Sequence, residues 1–336
     1  MNYRFEFKSY RRPFGRQLIT GHGAWTTREG ILVRLEDGEG NTGYGEIAPL
    51  PSFGTESMEE ASAYCRGLKG QFNDDMFALT DANLPACRFA LESACELLRD
   101  KCGLNAGRKV QVAALLPSGE RALKLLDHYS SQGFKTYKWK IGVDEIKSEQ
   151  SVFEELARAL PGDVKFRLDA NGALTLRQAK DWLGFLDNFN IEFLEQPLPP
   201  TEINTIFALA EKYSTPIALD ESIASIDNLK NAVKKGWSGF LVVKPSIMGS
   251  PSVFRAWIEE CESPLIFSSV FETAVGFQAG LQLAAEYGAP GFAAGYGINS
   301  YFLSDGLSLH GEGPDLSPNQ CSLKDFEKIW KQVGKN

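Results

Sequence analysis

Seven polar or small residues recur along the middle of this chain at nearly constant intervals. Lys140, Asp169, Glu195, Asp220, Lys244, Ser269 and Gly295 follow one another at separations of 29, 26, 25, 24, 25 and 26 residues. They fall at or near the ends of short apolar, β-rich runs: TYKWKIG, VKFRLDA, IEFLEQ, PIALDE, GFLVVKP, PLIFSSV and GFAAGYG. One more run, VQVAAL, precedes them and makes eight. Amphipathic stretches of helical length lie between the runs, so the pattern is that of parallel βα units. So even a period is what a closed (β/α)8-type barrel produces. A doubly wound open sheet is the rival architecture, and it gives no reason for the regularity.

The first hundred residues follow a different grammar. Residues 3–8 and 31–35 read as strands, and residues 36–41 before TGYGEIA read as a hairpin turn. Helices are expected over 56–70 and over 85–99, where Phe89, Ala90, Ala94 and Leu97 fall near one stripe behind Pro85. After Leu303 the repeat ends. The tail closes with an amphipathic segment over 322–333, in which Leu323, Phe326, Ile329, Trp330 and Val333 share a face, Ser322 can cap, and Asp325 favours the first turn. That stripe needs a partner, and we expect it on the N-terminal part. The expected fold is α/β: a TIM-like barrel over 106–305 with an N-terminal α+β domain over 1–105, completed by 306–336.

Composition narrows the function classes. The 336 residues carry 35 Lys+Arg against 43 Asp+Glu, a formal net charge of −8, and no clustered basic stripe. This disfavours nucleic acid or an anionic membrane as the main partner. The six cysteines (Cys65, Cys87, Cys95, Cys102, Cys261, Cys321) form no CxxC pair and have no histidine at metal spacing. Zinc, a thioredoxin-type motif and a secreted disulfide framework are therefore not expected. The opening MNYRFEFKSYRRPF lacks the apolar core of a signal peptide, and no apolar run approaches the ~20 residues that span a bilayer. A cytoplasmic protein is expected, of oligomeric state left open. The histidines are His22, His128 and His310, so none lies on the second to eighth strands to act as a base. A Ser-His-Asp hydrolase lacks both a placed histidine and a GxSxG elbow.

In a parallel barrel the C-terminal strand ends line the active-site mouth. Alternation puts Lys138 and Lys140 on one face with Trp139 on the other, and Arg167 shares a face with Asp169. Asp169, Glu195 and Asp220 come from three successive strands, and three uncompensated carboxylates repel one another unless a cation joins them. An all-oxygen set suits Mg2+, with Mn2+ the alternative. The bland rival is that each acid pairs with a lysine of a neighbouring strand. A divalent cation flanked by lysines suits removal of a proton next to a carboxylate. Lys138 and the metal would favour the neutral, basic form of Lys140. Asn171 and Glu221 flank the metal ligands and are expected to orient them. Ser269 could donate to a substrate carboxylate, and Arg167 could do the same or pair with a ligand acid.

The stretches YKWKIG, RLDANGALT, FLEQPL, ALDES, VVKPS and SSVFET, preceded by GEIAPLPSFGTES, resemble the enolase superfamily. The branch is the muconate lactonizing enzyme-like one, with lysines on the second and sixth barrel strands. The resemblance covers nearly the whole chain and implies a (β/α)7β barrel and a capping domain built from both termini. It implies Mg2+ on Asp169, Glu195 and Asp220, and Lys140 facing Lys244 across the substrate. It also implies that loops of the capping domain cover that substrate, here the loop from Trp25 to Arg28 and the stretch Leu50 to Thr55, including Phe53. The short chain, the compact GEIAPLPSFGTES loop and SSVFET look most like the o-succinylbenzoate synthase family. That family dehydrates a cyclohexadiene carboxylate to 2-succinylbenzoate in menaquinone or phylloquinone biosynthesis. By this resemblance Lys140 abstracts the proton and then assists departure of the hydroxyl, while Lys244 stays protonated over the ring. The rivals are an N-succinylamino acid racemase, a dipeptide epimerase, a cycloisomerase, and a non-catalytic ligand-binding barrel. GFAAGYGINS lacks the Asp-x-Asp pair that dipeptide epimerases carry near the eighth strand, and a binding module has no need of two opposed lysines.

Overall fold

Alternating burial builds the first sheet. In β1 (Asn2–Thr20) Tyr3 and Phe5 are buried while Arg4 is exposed, and the strand pairs antiparallel with β2 (Gly23–Glu36) from Arg4 opposite Glu36 to Thr20 opposite Gly23. β3 (Thr42–Ile47) follows a turn in which the Asp37 carboxylate accepts from the backbone N–H of Glu39 and Asn41, each at 2.9 Å. Then come α1 (Met58–Gly67), β4 (Gln71–Asn73), α2 (Asp74–Ala78) and α3 (Pro85–Arg99), and the sheet order is β3-β2-β1-β4. The computed structural model describes residues 1–20, 23–99, 108–160, 162–298, 301–302, 305–308, 313–319 and 321–333. His22, His310, Cys102 and the expected boundary at 105/106 lie outside them.

Both strands of the first hairpin run well beyond the expected 3–8 and 31–35. The reason is chemical. Tyr10, Arg12 and Phe14 alternate as buried positions, but Arg12 reads as polar in the sequence. It is buried because its guanidinium pairs with Asp305 and lies over the Phe302 ring, 3.5 Å from the centroid. Consequently Trp25–Arg28 is part of β2 and not a loop, with Trp25 opposite Leu18 and Arg28 opposite Arg12.

Helix α3 begins at Pro85, and the Glu56 carboxylate accepts from its first free N–H groups, those of Ala86 (3.2 Å) and Cys87 (2.7 Å). It lies close on β3 because Gly43 and Gly45 have no side chain. A Cβ at position 45 would stand 1.9 Å from the carbonyl oxygen of Ala90, so only glycine fits.

The VQVAAL run divides into β5 (Val110–Gln111), paired with β13 (Asp315–Leu316), and β6 (Ala114–Leu116), the first barrel strand. Then α4 (Arg121–Ser131), β7 (Thr136–Lys140), α5 (Ile146–Ala159), β8 (Lys165–Asp169), α6 (Leu176–Leu186), β9 (Phe193–Glu195) and α7 (Ile203–Lys212) alternate. They are followed by β10 (Ile217–Leu219), α8 (Ile226–Lys234), β11 (Phe240–Val243), α9 (Pro251–Ile258), β12 (Leu265–Phe267) and α10 (Ala274–Tyr287). Strands β6 to β12 form one parallel sheet in sequence order. The eighth run makes parallel bridges, Ser268 with Gly295 on one side and Val112 with Ala294 on the other, in place of a continuous ladder. The Ala113 N–H donates to the Ala294 carbonyl at 2.9 Å and the Gly295 N–H to the Phe267 carbonyl at 2.7 Å, joining the two ends of the sheet. The barrel is thus as the period implied, and the N-terminal α+β part as its own strand and helix pattern implied.

The tail helix α11 (Leu323–Gln332) opens with Asp325 accepting from the N–H and hydroxyl of Ser322 at 3.0 and 2.7 Å. Its Phe326 and Trp330 pack on Tyr44 of β3, and Lys8 of β1 donates to the Trp330 carbonyl at 2.7 Å. Glutamates of the N-terminal part tie it to barrel helices. Glu46 accepts from the N–H of Thr273 and of Gly276, each at 2.9 Å, at the start of α10, and Glu92 accepts from the Ser252 N–H at 3.0 Å at the start of α9.

Candidate active site

Strand register places the charged ends in one row. Lys140 stands opposite Asp169, and Asp169 opposite Glu195, while Ala218 is opposite Glu195, so Asp220 lies one pleat further on. Trp139 points the other way and is fully buried against the helices, leaving Lys138 and Lys140 inside. Two residues just beyond the acids take positive φ: Asn171 at 44° and Gln196 at 36°. Side chains rarely accept that conformation without compensation. Gln196 has it in full: its Oε1 accepts from the N–H of Asp220 (3.0 Å) and Ser222 (3.1 Å), and its Nε2 donates to the Leu198 carbonyl (2.8 Å) and the Ser222 hydroxyl (2.7 Å). Gln196 thereby fixes the turn that carries Asp220 and Glu221. Sequence reasoning passed over this residue, although a glutamine between a strand-end acid and Pro197 was the available signal.

The acids are held by ammonium groups. Lys138 Nζ lies 2.8 Å from Asp169 Oδ2 and 2.7 Å from Glu195 Oε1, and Lys244 donates to Asp220. Lys140 donates to Asn171 Oδ1, and Asn171 Nδ2 donates to Glu221 Oε1 at 3.2 Å. Among the described residues no three carboxylate, histidine or cysteine side chains stand as one ready ion cage. Asp169 and Glu195 meet at the one ammonium of Lys138, and Asp220 is held by Lys244, because buried carboxylates need a counter-charge and the flanking lysines supply one. The donor set nevertheless fits a hard divalent cation. Asp169, Glu195, Asp220 and Glu221 outnumber Lys138, Lys140 and Lys244, all four acids are buried, and Glu221 Oε2 is buried without a hydrogen-bond partner. Burial, with Asp169 beside it, pushes Glu195 up to about 8, and burial with Asp220 does the same to Glu221.

The two lysines Lys140 and Lys244 on this wall differ in electrostatic setting. Burial, helped by the like charge of Lys138, draws Lys140 below its ordinary value despite Asp169. Burial also opposes the charge of Lys244, but Asp220, Glu221 and Glu195 outweigh it and raise the lysine. Burial is overcome in the same way at Lys138 by Asp169, Glu195 and Asp220.

These groups open onto a cavity of about 970 Å³. Lys138, Lys140, Asp169, Asn171, Asp220, Glu221 and Lys244 form its charged wall, and Trp25, Leu50, Phe53, Leu115, Phe271 and Tyr301 its apolar one. Glu195 lies beneath the wall, 1% exposed. Phe53 comes within 4.8 Å of Lys244 Nζ, measured to the ring centroid, so the Leu50–Thr55 stretch does reach the site. Arg167 does not. Its side chain pairs with Glu192, which precedes β9, and lies over Phe193, toward the opposite end of the barrel from the cavity. It pairs with none of Asp169, Glu195 and Asp220 and does not line the cavity. Ser269 lines the cavity, yet its hydroxyl donates to Glu272 and its oxygen accepts from the Phe271 N–H at 2.9 Å.

Known proteins resemble this chain over nearly its whole length. The enolase C-terminal domain-like family matches residues 121–309, and the MenC N-terminal domain matches residues 4–98. The o-succinylbenzoate synthase of Thermosynechococcus vestitus is 34% identical over 341 residues, which cover 98% of this chain and 99% of that protein. A crystal structure of o-succinylbenzoate synthase from Thermosynechococcus elongatus BP-1, complexed with Mg in the active site, superposes with a TM-score of 0.86 at 34% identity, over 98% of this chain and 100% of that one. The N-succinyl Arg/Lys racemase of Bacillus cereus shares the fold, with a TM-score of 0.82 at 20% identity over 98% of both chains. By both its sequence and its fold, the chain belongs to the enolase superfamily and, within it, to the o-succinylbenzoate synthase family.

Proposed function

We propose that the protein is an enzyme that removes water from 2-succinyl-6-hydroxy-2,4-cyclohexadiene-1-carboxylate to give 2-succinylbenzoate, in menaquinone or phylloquinone biosynthesis. The observation that carries this reading is the lysine pair on one cavity, Lys140 lowered and Lys244 raised, in a chain 34% identical to a synthase over nearly all its length. Neutral Lys140 takes the proton alpha to the ring carboxylate. The electron pair of that C–H bond is first taken up by the ring carboxylate as an enediolate; it then returns to the ring as the C–O bond breaks, and the new ammonium of Lys140 gives its proton to the leaving hydroxyl, so one water departs. Lys138 holds its charge beside Lys140 and favours its neutral form. Lys244, already an ammonium near an aromatic face, places its charge over the ring. Asn171 aims Lys140, Glu221 aims Asn171, and Leu50 and Phe53 cover the substrate and exclude water.

Asp169, Glu195 and Asp220 would hold Mg2+, with Mn2+ the alternative, and the bound ion would offset the charge that builds on the substrate carboxylate. Residues 1–105 with 306–336 form the cap and 106–305 the catalytic barrel in this reading. Among the described residues no helix is long and apolar enough to cross a membrane, and the described cysteines are unpaired thiols, which supports a reducing cytoplasm.

The lysine pair also suits two-base racemisation, and the Bacillus cereus protein is named a racemase. Purified enzyme with Mg2+ separates the readings: loss of diene absorbance and appearance of 2-succinylbenzoate, stopped by EDTA, is the expected result. Racemisation of N-succinylamino acids without dehydration would overturn the substrate assignment while keeping the lysines.

A further inference from the structure

One buried carboxylate links the two walls of the cavity and takes no part in the proposed chemistry. Glu272, 3% exposed, accepts from the Ser246 hydroxyl at 2.5 Å through Oε1. Through Oε2 it accepts from the Ser269 hydroxyl and from the Val270 N–H at 3.1 Å. Ser246 is fully buried in the short turn that follows Lys244, where the Ile247 N–H closes back on the Lys244 carbonyl at 3.1 Å. Ser269 sits at the base of the next turn, whose Phe271 has a φ of 65° and projects into the cavity, edge-on to Phe14 of β1 at 5.4 Å. Nothing local favours a phenylalanine in that conformation. The Ser269 and Glu272 hydrogen bonds therefore hold it there.

We infer that Glu272 is a positioning residue: its carboxylate locks the Lys244 turn to the Phe271 turn and so sets where the Lys244 ammonium meets the substrate ring. The next residue, Thr273, is gripped by Glu46 of β3, so the lock is anchored to the N-terminal part as well. The kinetic expectation rests on the dehydratase reading, whereas the positional one does not.

In the full-length enzyme, Glu272→Ala leaves the Val270 N–H buried and unpaired, while Glu272→Gln can still accept from Val270 and donate to the Ser246 oxygen. The expected result is a fall in kcat of roughly 10- to 100-fold for Glu272→Ala, as for other lost positioning contacts, with KM changed by less than about threefold and most of the kcat restored in Glu272→Gln. Ser246→Ala, a smaller change that spares the Ser269 side, should lower kcat in the same direction. Thermal melting of each variant reports whether it folds. Competitive acetylation of Lys244 against Lys140, read by peptide mass spectrometry, tests the positioning whatever the substrate. An altered Lys244:Lys140 ratio in Ser246→Ala and Glu272→Ala supports the lock. An unchanged ratio in folded variants, or kcat and KM of Ser246→Ala equal to wild type, overturns it. If wild type turns over no diene yet the ratio shifts, the dehydratase reading fails and the lock stands.

Discussion

Lys140 and Lys244 are one residue type in opposite surroundings, and the pH profile should report both. In the proposed reaction Lys140, the base, must be neutral, so kcat is expected to rise with pH through a value below the ordinary lysine pKa of about 10.4. It falls again only above that value, as Lys244 gives up its proton. Lys138→Met removes the like charge beside Lys140 and leaves Asp169 more exposed to it, so the rising limb should move to higher pH in a kcat–pH titration. A limb that stays in place would separate Lys138 from the base. The lysines and acids were legible in the sequence because each closes a strand run, which is where a barrel keeps its chemistry. Arg167 was misread for a geometric reason: alternation tells which face a residue takes, not which end of the barrel. Two residues before Asp169 is about 6–7 Å further from the mouth, and Glu192, its partner there, precedes the strand and carried no visible signal. Gln196 and Glu272 were hidden differently, since their partners are backbone and hydroxyl groups tens of residues away or on the adjoining turn.

At the level of elements, the N-terminal part is held to the barrel by close approach and by buried caps. Gly45→Ala would push a methyl group into the Ala90 carbonyl, and overpacking of this kind costs about 1–3 kcal/mol. Urea unfolding should show that loss with the slope unchanged, whereas an unaltered midpoint would mean that α3 shifts freely on β3. Glu46→Ala removes the acceptor for the Thr273 and Gly276 N–H groups, and a stability loss of about 2 kcal/mol is expected from leaving buried donors unpaired. Glu46→Gln, which keeps an acceptor, should lose less. The helices were readable from their stripes and from Pro85. The long hairpin was not, because its alternation passes through Arg12, a charge that is buried only by contacts with Asp305 and Phe302, far along the chain.

For the molecule as a whole, the even period of the strand ends was enough to give the barrel, while the way it closes was not: a Gly- and Ala-rich eighth run makes bridges in place of a ladder. The cavity joins barrel chemistry to a cover from the N-terminal part, so Phe53→Ala should raise KM more than it lowers kcat, as steady-state kinetics would show. The excess of carboxylates over lysines predicts that Mg2+ raises the melting temperature and that EDTA abolishes turnover reversibly. The central claim is that Lys140 moves the proton in a dehydration. The most direct measurement is single-turnover conversion of the cyclohexadiene acid, in saturating Mg2+, by wild type and by folded Lys140→Ala. The account predicts 2-succinylbenzoate from wild type and a loss of about 1,000-fold or more in the variant; formation of product by Lys140→Ala at a rate near that of wild type would contradict it.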